Sequence, residues 1–218
     1  LAGGLGTRLA SVVSDVPKPM APVAGKPFLD HILATLPTEH ISTIVLAVGH
    51  KYEKIKEYYG DIYKGISLVY SIEKEPLGTG GGIGLAMNQC TEESILVLNG
   101  DTFFNVDIEQ LYQVHRSSDA LITLALKQMK KPDRYGTVLL QDDTILRFEE
   151  KKAGLPTGLI NGGFYLASSR LKEELPQQEK YSFESEVLEK KVSSQELKGL
   201  ISEGLFIDIG IPEDYERA

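Results

Sequence analysis

Apolar and polar positions alternate in blocks along the first half of the chain and predict strands and helices in turn. Continuous apolar runs at residues 43–48 and 94–98 are typical of strands buried on both faces, and residues 66–70 predict another strand. Helices are predicted at residues 27–33, 53–59 and 82–89. This order of elements indicates a parallel, doubly wound α/β core.

The second half of the chain has a different pattern. Strand-like runs follow one another with few helices between them, at residues 121–126, 136–140, 144–148 and 159–166. Turns such as Asp142-Asp143 join some of these runs, so we expect antiparallel additions to the sheet. A helix is predicted at residues 183–192 and a short strand at residues 205–207.

No linker, repeat or charge block divides the sequence, so residues 1–218 are interpreted as a single domain. The expected fold is α/β, with a Rossmann-like, doubly wound, mixed but mostly parallel sheet flanked by helices. The chain opens on Leu1-Ala2, which resembles the end of an apolar run. We therefore expect that a first strand is truncated at this point.

The chain is acidic, with 23 Lys and Arg against 31 Asp and Glu and a formal net charge of −8. This balance argues against binding nucleic acid or an anionic membrane. It leaves a nucleotide ligand open, because a few basic residues in one pocket suffice. Cys90 is the only cysteine, which excludes an internal disulfide, and the absence of a long apolar span or signal peptide predicts a cytoplasmic protein.

A glycine-rich run at residues 1–9, Leu-Ala-Gly-Gly-Leu-Gly-Thr-Arg-Leu, precedes a Pro-Lys pair that ends at Lys18. Glycines allow backbone N–H groups to approach a phosphate chain closely, and Arg8 and Lys18 add fixed positive charge. The alternative is a loop that only joins a strand to a helix. The pattern Gly-Gly-x-Gly-Thr-Arg is neither a Walker motif nor the Gly-x-Gly-x-x-Gly of an oxidoreductase.

Two carboxylates are candidates for a Mg²⁺ site. Asp101 directly follows the buried strand at residues 94–98, where open α/β sheets bind their ligands, and Asp208 lies in an apolar run where a free carboxylate is costly to bury. The alternatives are a turn aspartate and a strand-end aspartate that faces water. Because the two residues are far apart in sequence, their convergence depends on the fold.

A second glycine-rich segment, residues 73–82, carries Glu73 and Glu75. A carboxylate only accepts hydrogen bonds, and guanine offers N1–H and N2–H₂ on one edge, so these residues favour guanine over uracil or thymine. A solvated acidic turn is the alternative. Further along, the pair Glu150-Lys151 suits a sugar phosphate, although by itself it is an ordinary surface charge pair.

These motifs together resemble the sugar-1-phosphate nucleotidyltransferases over nearly the whole chain. The similarity runs from residues 3–18 through 75–80 and 99–101 to 208–215. It implies the nucleotidyltransferase (GT-A-like) fold and Mg²⁺-dependent transfer of a nucleotidyl group to a sugar 1-phosphate. One departure is that the family's Arg-Leu-x-Pro-Leu-Thr reads Arg-Leu-Ala-Ser-Val-Val at residues 8–13.

The resemblance also implies roles for individual residues. Arg8, Lys18 and Asp101 would be catalytic, and Asp101 and Asp208 would hold Mg²⁺. The nucleotide would contact Leu1, Ala2, Gly3, Gly4, Gly6, Thr7, Glu73, Glu75, Pro76, Gly78, Thr79 and Gly100. The sugar phosphate would contact Tyr135, Gly136, Glu150, Lys151, Asn161 and Gly162; Gly136 and Gly162 can equally be bulges in strands.

Within the family, four segments resemble the guanylyltransferases that use a manno-heptose 1-phosphate, namely residues 73–82, 125–129, 133–138 and 160–163. This similarity implies GTP and a sugar 1-phosphate as substrates. Mannose 1-phosphate with GTP, or UTP or dTTP with another sugar phosphate, stays open. So does a catalytically silent domain that binds nucleotide sugars.

Overall fold

A computed structural model describes residues 1–4, 9 and 15–218 of the chain. The strands are β1 (Pro22–Val23), β2 (Lys26–Pro27), β3 (Thr43–Val48), β4 (Ile62–Tyr63), β5 (Ile66–Ile72), β6 (Ser94–Leu98), β7 (Thr102–Phe104), β8 (Ile122–Lys130), β9 (Thr137–Gln141), β10 (Thr144–Glu149), β11 (Thr157–Ser168), β12 (Leu197–Ile201) and β13 (Phe206–Asp208). The helices are α1 (Phe28–Leu33), α2 (Tyr52–Tyr59), α3 (Gly78–Met87), α4 (Ile108–Ser117), α5 (Leu171–Glu174), α6 (Glu189–Lys191) and α7 (Pro212–Arg217). Short 3₁₀ turns span Lys18–Met20, Thr38–His40 and Val192–Ser194, and a π-helical turn spans Glu184–Leu188.

Two sheets carry the architecture. The smaller one has the order β3-β5-β4, and β3 and β5 run parallel. The larger one has the order β6-β11-β8-β12-β10-β9, and β9 also pairs with β11, so its far end curls back on itself. Helices pack around this mixed α/β framework, as the sequence predicts.

Strand direction corrects one detail of that prediction, because the larger sheet is mostly antiparallel. Its single parallel ladder joins β8 to β12, and β3 with β5 forms the other parallel pair among the described residues. The reason lies in the connections: the turn at Asp142-Asp143 returns the chain directly from β9 to β10. Parallel neighbours need a long crossover, which the second half of the chain mostly lacks.

Leu1 and Ala2 bridge the two sheets. The Ala2 amide donates to the Ala47 carbonyl (2.7 Å), and the Gly100 amide donates to the Leu1 carbonyl (2.8 Å). Beyond them, a largely apolar cavity of about 230 Å³ lies between β3 and β6. The two residues therefore fix the relative positions of the carboxyl ends of β3 and β6.

Several elements differ from the predicted ones. Helix α3 begins at Gly78, within the glycine-rich segment, and the helix expected at residues 183–192 is a π-helical turn followed by two short helical turns. Helix α4 and strand β12 lie where the pattern of apolar positions predicts no element. Asp107 begins α4, because its Oδ1 accepts from the Gln110 amide (3.0 Å).

The main hydrophobic core lies between the larger sheet and the helices that cover it. Tyr165 and Phe183 are fully buried there, with the edge of one ring against the face of the other and the ring centroids 5.4 Å apart. A second core, around Ile55 and Val48, holds α2 against the smaller sheet. No helix within the described ranges is long and apolar enough to cross a membrane.

Candidate active site

The site lies where β6 ends, at the turn Asn99-Gly100-Asp101. The Asn99 amide donates to the Gly163 carbonyl (2.9 Å), and the Gly100 amide donates to the Leu1 carbonyl. A Cβ on Gly100 would lie 2.5 Å from the Leu1 carbonyl oxygen, so only glycine allows this approach. The turn is thus fixed by neighbouring backbone, and Asp101 projects from a rigid base.

The structure brings Asp101 and Asp208 together across a short two-stranded ladder. Strand β13 pairs antiparallel with β7, which sets Asp208 opposite Thr102, and the Ile209 amide donates to the Asp101 carbonyl (3.0 Å). Residues more than a hundred positions apart therefore become neighbours. Their two carboxylates share one side of the turn.

Lys18 provides the positive charge next to this pair. Its Nζ lies 2.6 Å from Asp101 Oδ2, and the side chain is only 14% exposed whereas that of Asp101 is 37% exposed. Pro17 and the 3₁₀ turn Lys18–Met20 hold the lysine backbone in place. We call Lys18, Asp101 and Asp208 together the acidic centre.

Asp208 is the more enclosed of the two carboxylates. Its Oδ1 accepts from the Gly210 amide (2.7 Å) and its Oδ2 from the Tyr135 hydroxyl (3.0 Å). Burial, followed by repulsion from Asp101, raises the pKa of Asp208 above its usual range. Burial and the neighbouring Asp208 likewise raise the pKa of the Tyr135 phenol.

The donor set of the acidic centre fits a hard divalent cation. Two carboxylates face one nearby ammonium, so a cation bound between them would relieve the repulsion that, after burial, raises the pKa of Asp208. Among the described residues, no group of three or more Asp, Glu, His or Cys side chains is placed to hold a metal. Phosphate oxygens and water would complete the coordination, as is usual for Mg²⁺.

A bulge in β11 at residues 161–165 packs against the same turn. Asn161 donates through Nδ2 to the Tyr165 hydroxyl (2.9 Å) and accepts at Oδ1 from the Gly163 amide (3.0 Å). A Cβ on Gly162 would lie 2.5 Å from the Phe104 ring. The bulge and its glycines therefore have a packing role, whatever ligand lies beside them.

Gly136, Glu150 and Lys151 lie at one corner of the larger sheet. Register pairs Thr137 with both Glu149 and Ile160, so Gly136 lies beside the end of β10 and close in register to Asn161. A Cβ on Gly136 would lie 2.8 Å from the Glu149 carbonyl oxygen. Glu150 and Lys151 are exposed, and neither forms a hydrogen bond or ion pair with a described residue.

The two acidic residues of the second glycine-rich segment differ. Glu73 is half-buried, its Oε2 accepts from the Leu77 amide (3.1 Å), and a Cβ on Gly3 would lie 2.9 Å from its Oε1. Glu73 thus joins the first glycine-rich run to the second. Glu75 and Pro76 are exposed.

The glycines at the start of α3 accommodate the protein's own chain. The Gly80 amide donates to the Tyr181 carbonyl (3.0 Å), and the Tyr181 amide donates to the Leu77 carbonyl (2.9 Å). Gly78 has a φ of +74°, and a Cβ on Gly81 would lie 2.1 Å from the Glu179 carbonyl oxygen. We call residues 179–184 the docked segment.

Thr79 is engaged by the same segment. Its Oγ1 donates to Glu184 Oε2 (2.9 Å) and accepts from the Phe183 amide (2.8 Å). Thr79 is one of the predicted nucleotide contacts, and its hydroxyl therefore already has two partners within the protein.

The first glycine-rich run is described only in part. Leu1, Ala2, Gly3 and Gly4 precede the site, and a Cβ on Gly4 would meet no atom of a described residue within 4 Å. Gly6, Thr7 and Arg8 lie outside the described residues.

Three residues around the site are given no role by sequence reasoning. Thr102 donates to Asp101 Oδ1 (3.3 Å), and Arg134 forms an ion pair with the buried Asp214. An acidic residue in the first turn of a helix, such as Asp214, is ordinarily interpreted as an exposed residue that interacts favourably with the helix dipole. Only the burial of Asp214, which the sequence does not reveal, sets it apart.

Comparisons with known proteins agree with this architecture. A family model described as nucleotidyl transferase matches residues 1–218. D-glycero-alpha-D-manno-heptose 1-phosphate guanylyltransferase of Aneurinibacillus thermoaerophilus is 49% identical over 218 residues, which is 100% of this chain and 94% of that protein. The enzyme of the same name from Campylobacter jejuni is 48% identical over 216 residues, covering 99% of this chain and 95% of its own length.

Solved structures agree as well. HddC from Yersinia pseudotuberculosis, in a crystal structure complexed with GMP-PN, superposes with a TM-score of 0.84 at 34% identity. The match covers 100% of this chain and 95% of HddC. The nucleotidyltransferase fold implied by the sequence is therefore confirmed.

Proposed function

The chain belongs to the nucleotidyl transferase family, and on that premise we propose that it transfers GMP from GTP to D-glycero-alpha-D-manno-heptose 1-phosphate, with release of pyrophosphate. The convergence of Lys18, Asp101 and Asp208 at the end of β6 supports the reaction. The 49% identity to a heptose 1-phosphate guanylyltransferase over the full chain supports the pair of substrates.

The chemistry is an in-line displacement. A phosphate oxygen of the sugar 1-phosphate forms a bond to the α-phosphorus of GTP, while the bond from that phosphorus to the bridging oxygen breaks and pyrophosphate carries away the electron pair. The attacking oxygen is already anionic near neutral pH, so no general base is needed. The protein then contributes position and charge, which is the usual situation in phosphoryl transfer.

Lys18 supplies fixed positive charge beside the phosphates. Its ammonium is held by Asp101 and mostly shielded from solvent, so its position is set before substrate binds. Arg8 is proposed to grip the departing pyrophosphate portion. Asp101 and Asp208 are the proposed Mg²⁺ ligands, with Tyr135 and Gly210 holding the carboxylate of Asp208. A bound Mg²⁺ would neutralise charge that develops on the phosphate oxygens.

The nucleotide is proposed to lie along the first glycine-rich run and the segment that follows β5. Glu73 is the better placed of the two acidic candidates for the guanine edge, because it is half-buried beside Gly3. Its Oε1 has no hydrogen-bond partner among the described residues, so one oxygen is free to accept from guanine. The other proposed contacts are Leu1, Ala2, Gly4, Gly6, Thr7, Glu75, Pro76, Gly78, Thr79 and Gly100.

The sugar phosphate is proposed to bind at the corner formed by β9, β10 and β11. Glu150 suits sugar hydroxyls and Lys151 suits the phosphate, since a carboxylate accepts and an ammonium donates. Both are exposed and without a described partner, so both are available to a ligand. Tyr135, Gly136, Asn161 and Gly162 complete the proposed contacts.

A second candidate is the same reaction with mannose 1-phosphate. The mannose-1-phosphate guanylyltransferase of Mycobacterium tuberculosis is 34% identical over 100% of this chain, although the match covers 62% of that enzyme. The lower identity makes this the second choice.

Residues 1–218 are proposed to form one domain, and a cytoplasmic location is a prediction that cell fractionation would check.

Release of pyrophosphate tests the proposal directly. Five nucleoside triphosphates would be crossed with manno-heptose, mannose and glucose 1-phosphates, each with Mg²⁺ and with EDTA. Mg²⁺-dependent release confined to GTP with the heptose phosphate supports the proposal. Release with mannose 1-phosphate alone would replace the substrate, and binding of GTP without release in any mixture would contradict the reaction.

A further inference from the structure

Two adjacent side chains in the loop between β8 and β9 contact two different aspartates. Tyr135 donates its hydroxyl to Asp208 Oδ2 (3.0 Å), and the neighbouring Arg134 forms an ion pair with Asp214. Asp214 belongs to α7, the helix that begins four residues after Asp208. The loop is therefore connected at two points to the segment that carries a proposed Mg²⁺ ligand.

The ion pair has an enclosed acidic partner. Asp214 is only 6% exposed, and its two oxygens face Arg134 and Arg217, the latter at 3.0 Å. A buried carboxylate needs such partners, because an unpaired charge is costly to remove from water. Arg217 lies on the same helix as Asp214, so of the two arginines only Arg134 ties the helix to the loop.

The Tyr135 ring is held from two sides. Its centroid lies 6.3 Å from that of Phe206 in an edge-on arrangement, and the Arg134 guanidinium carbon lies 5.5 Å from the ring. Arg134 Nη2 also donates to the Tyr135 hydroxyl (3.3 Å). One guanidinium thus contacts both the carboxylate of α7 and the phenol that reaches Asp208.

We propose that Arg134 is a positioning residue, which uses its ion pair with Asp214 to hold the Tyr135 hydroxyl on Asp208 Oδ2. This contact sets the direction in which the Asp208 carboxylate presents its oxygens. The inference rests on the proposed function, because it takes Asp208 as a ligand of the divalent cation. Arg134 itself is proposed to touch neither the cation nor the substrate.

The affinity for Mn²⁺, measured by electron paramagnetic resonance in the presence of a saturating α,β-methylene analogue of GTP, tests the positioning role of Arg134 without turnover. Arg134→Met should weaken Mn²⁺ binding by about tenfold, the lower end of the loss seen when partners of metal ligands are removed. Arg134→Lys should restore part of it. Arg170→Met is the control, because Arg170 is similarly exposed (49% against 46%) and pairs with an aspartate elsewhere.

A second variant separates positioning from general loss of structure. Tyr135→Phe removes only the hydroxyl, and it should weaken Mn²⁺ binding by a similar factor with little change in melting temperature. In the Tyr135→Phe background, Arg134→Met should add less than twofold, because its route to Asp208 is already gone. Full additivity of the two substitutions would overturn the inference even if Arg134→Met proved unstable.

The failure of this inference can be told from failure of the proposed site. If Asp208→Asn lowers Mn²⁺ affinity and Arg134→Met leaves it within twofold of the parent, the metal site stands and the role of Arg134 is wrong. If Asp208→Asn binds Mn²⁺ as tightly as the parent, the proposed ligand is wrong and the inference is overturned with it.

Discussion

The acidic centre and the start of α3 both read as ligand-binding motifs in the sequence, but their side chains are used differently. In the acidic centre, two carboxylates and one ammonium face one another, and the repulsion between Asp101 and Asp208 is only partly offset by Lys18. At the start of α3, the Thr79 hydroxyl and the Gly80 amide are satisfied by the docked segment. The first region therefore keeps unbalanced negative charge that can bind a ligand. In the second region, the polar groups at the start of α3 are mostly hydrogen-bonded within the protein itself.

The difference shows why a motif and a site are not the same thing. Glycine permits close approach of any partner, and at Gly81 that partner is the Glu179 carbonyl. At the end of β6, the Asp101 side chain remains partly exposed, and the two carboxylates of the acidic centre have only one ammonium beside them. Substitutions in the first region should therefore affect the reaction, whereas substitutions in the second should affect folding.

The largest expected effect comes from the acidic centre. Lys18→Met should lower the rate of pyrophosphate release by about 100- to 1000-fold, roughly 2.7–4 kcal/mol of transition-state stabilisation, by analogy with the loss of one oxyanion donor. Steady-state kinetics with GTP and the sugar phosphate measures it. Lys56→Met is the control, because Lys56 is exposed and only loosely paired with Asp61. Turnover of Lys18→Met within a few-fold of the parent would show that Lys18 is not part of the machinery.

A smaller effect, on stability, is expected where the docked segment crosses α3. Gly81→Ala places a Cβ 2.1 Å from the Glu179 carbonyl oxygen, so the chain must move, and overpacking of this kind costs about 1–3 kcal/mol. Urea unfolding measures the change. Gly84→Ala in the same helix is the control, because its nearest neighbours are side-chain ends at 3.1 and 3.3 Å. Equal stability of the two variants would contradict the close packing.

Thr79→Val should give a smaller loss, again in stability, because the Thr79 hydroxyl already has two partners within the protein and the proposed contact of Thr79 with the nucleotide does not depend on it. The buried Phe183 amide would lose its acceptor and Glu184 a donor, at a cost of about 1–2 kcal/mol, whereas Thr79→Ser keeps both. Urea unfolding and calorimetric titration with GTP are measured together. Weaker GTP binding with unchanged stability would instead assign the hydroxyl to the nucleotide.

The smallest expected effect depends on pH and lies outside both regions, neither of which contains a histidine. His115 is buried against Thr123, and burial, then Arg170, lowers its pKa below the ordinary value of 6.5. Below pH 6.5 the imidazole of His115 is protonated more readily in the unfolded chain than in the folded chain. The free energy of unfolding therefore decreases as the pH is lowered, by at most about 1.4 kcal/mol per pH unit. His115→Gln should flatten this slope in urea unfolding between pH 5 and 7.5, and exposed His40→Gln should not. An unchanged slope in His115→Gln would assign the acid sensitivity to other groups.

Much of the first half of the fold could be predicted because its signals are local. The apolar runs at residues 43–48 and 94–98 form β3 and β6 with the predicted bounds. The start of α3 could not be predicted in the same way, since four glycines in its first five residues disfavour a helix. Contact with Tyr181, about a hundred residues away, stabilises that turn instead.

The sequence by itself determined the family, the candidate carboxylates and lysine, and the alternation of strands and helices, because residue types and short spacings carry these signals. Only the tertiary structure decided that Asp208 meets Asp101, that Asp214 is buried against Arg134, and that Thr79 is engaged by the docked segment. Each of these is a long-range contact. Its existence depends on strand order, register and burial, which are collective properties of the packed chain and leave no mark on neighbouring residues.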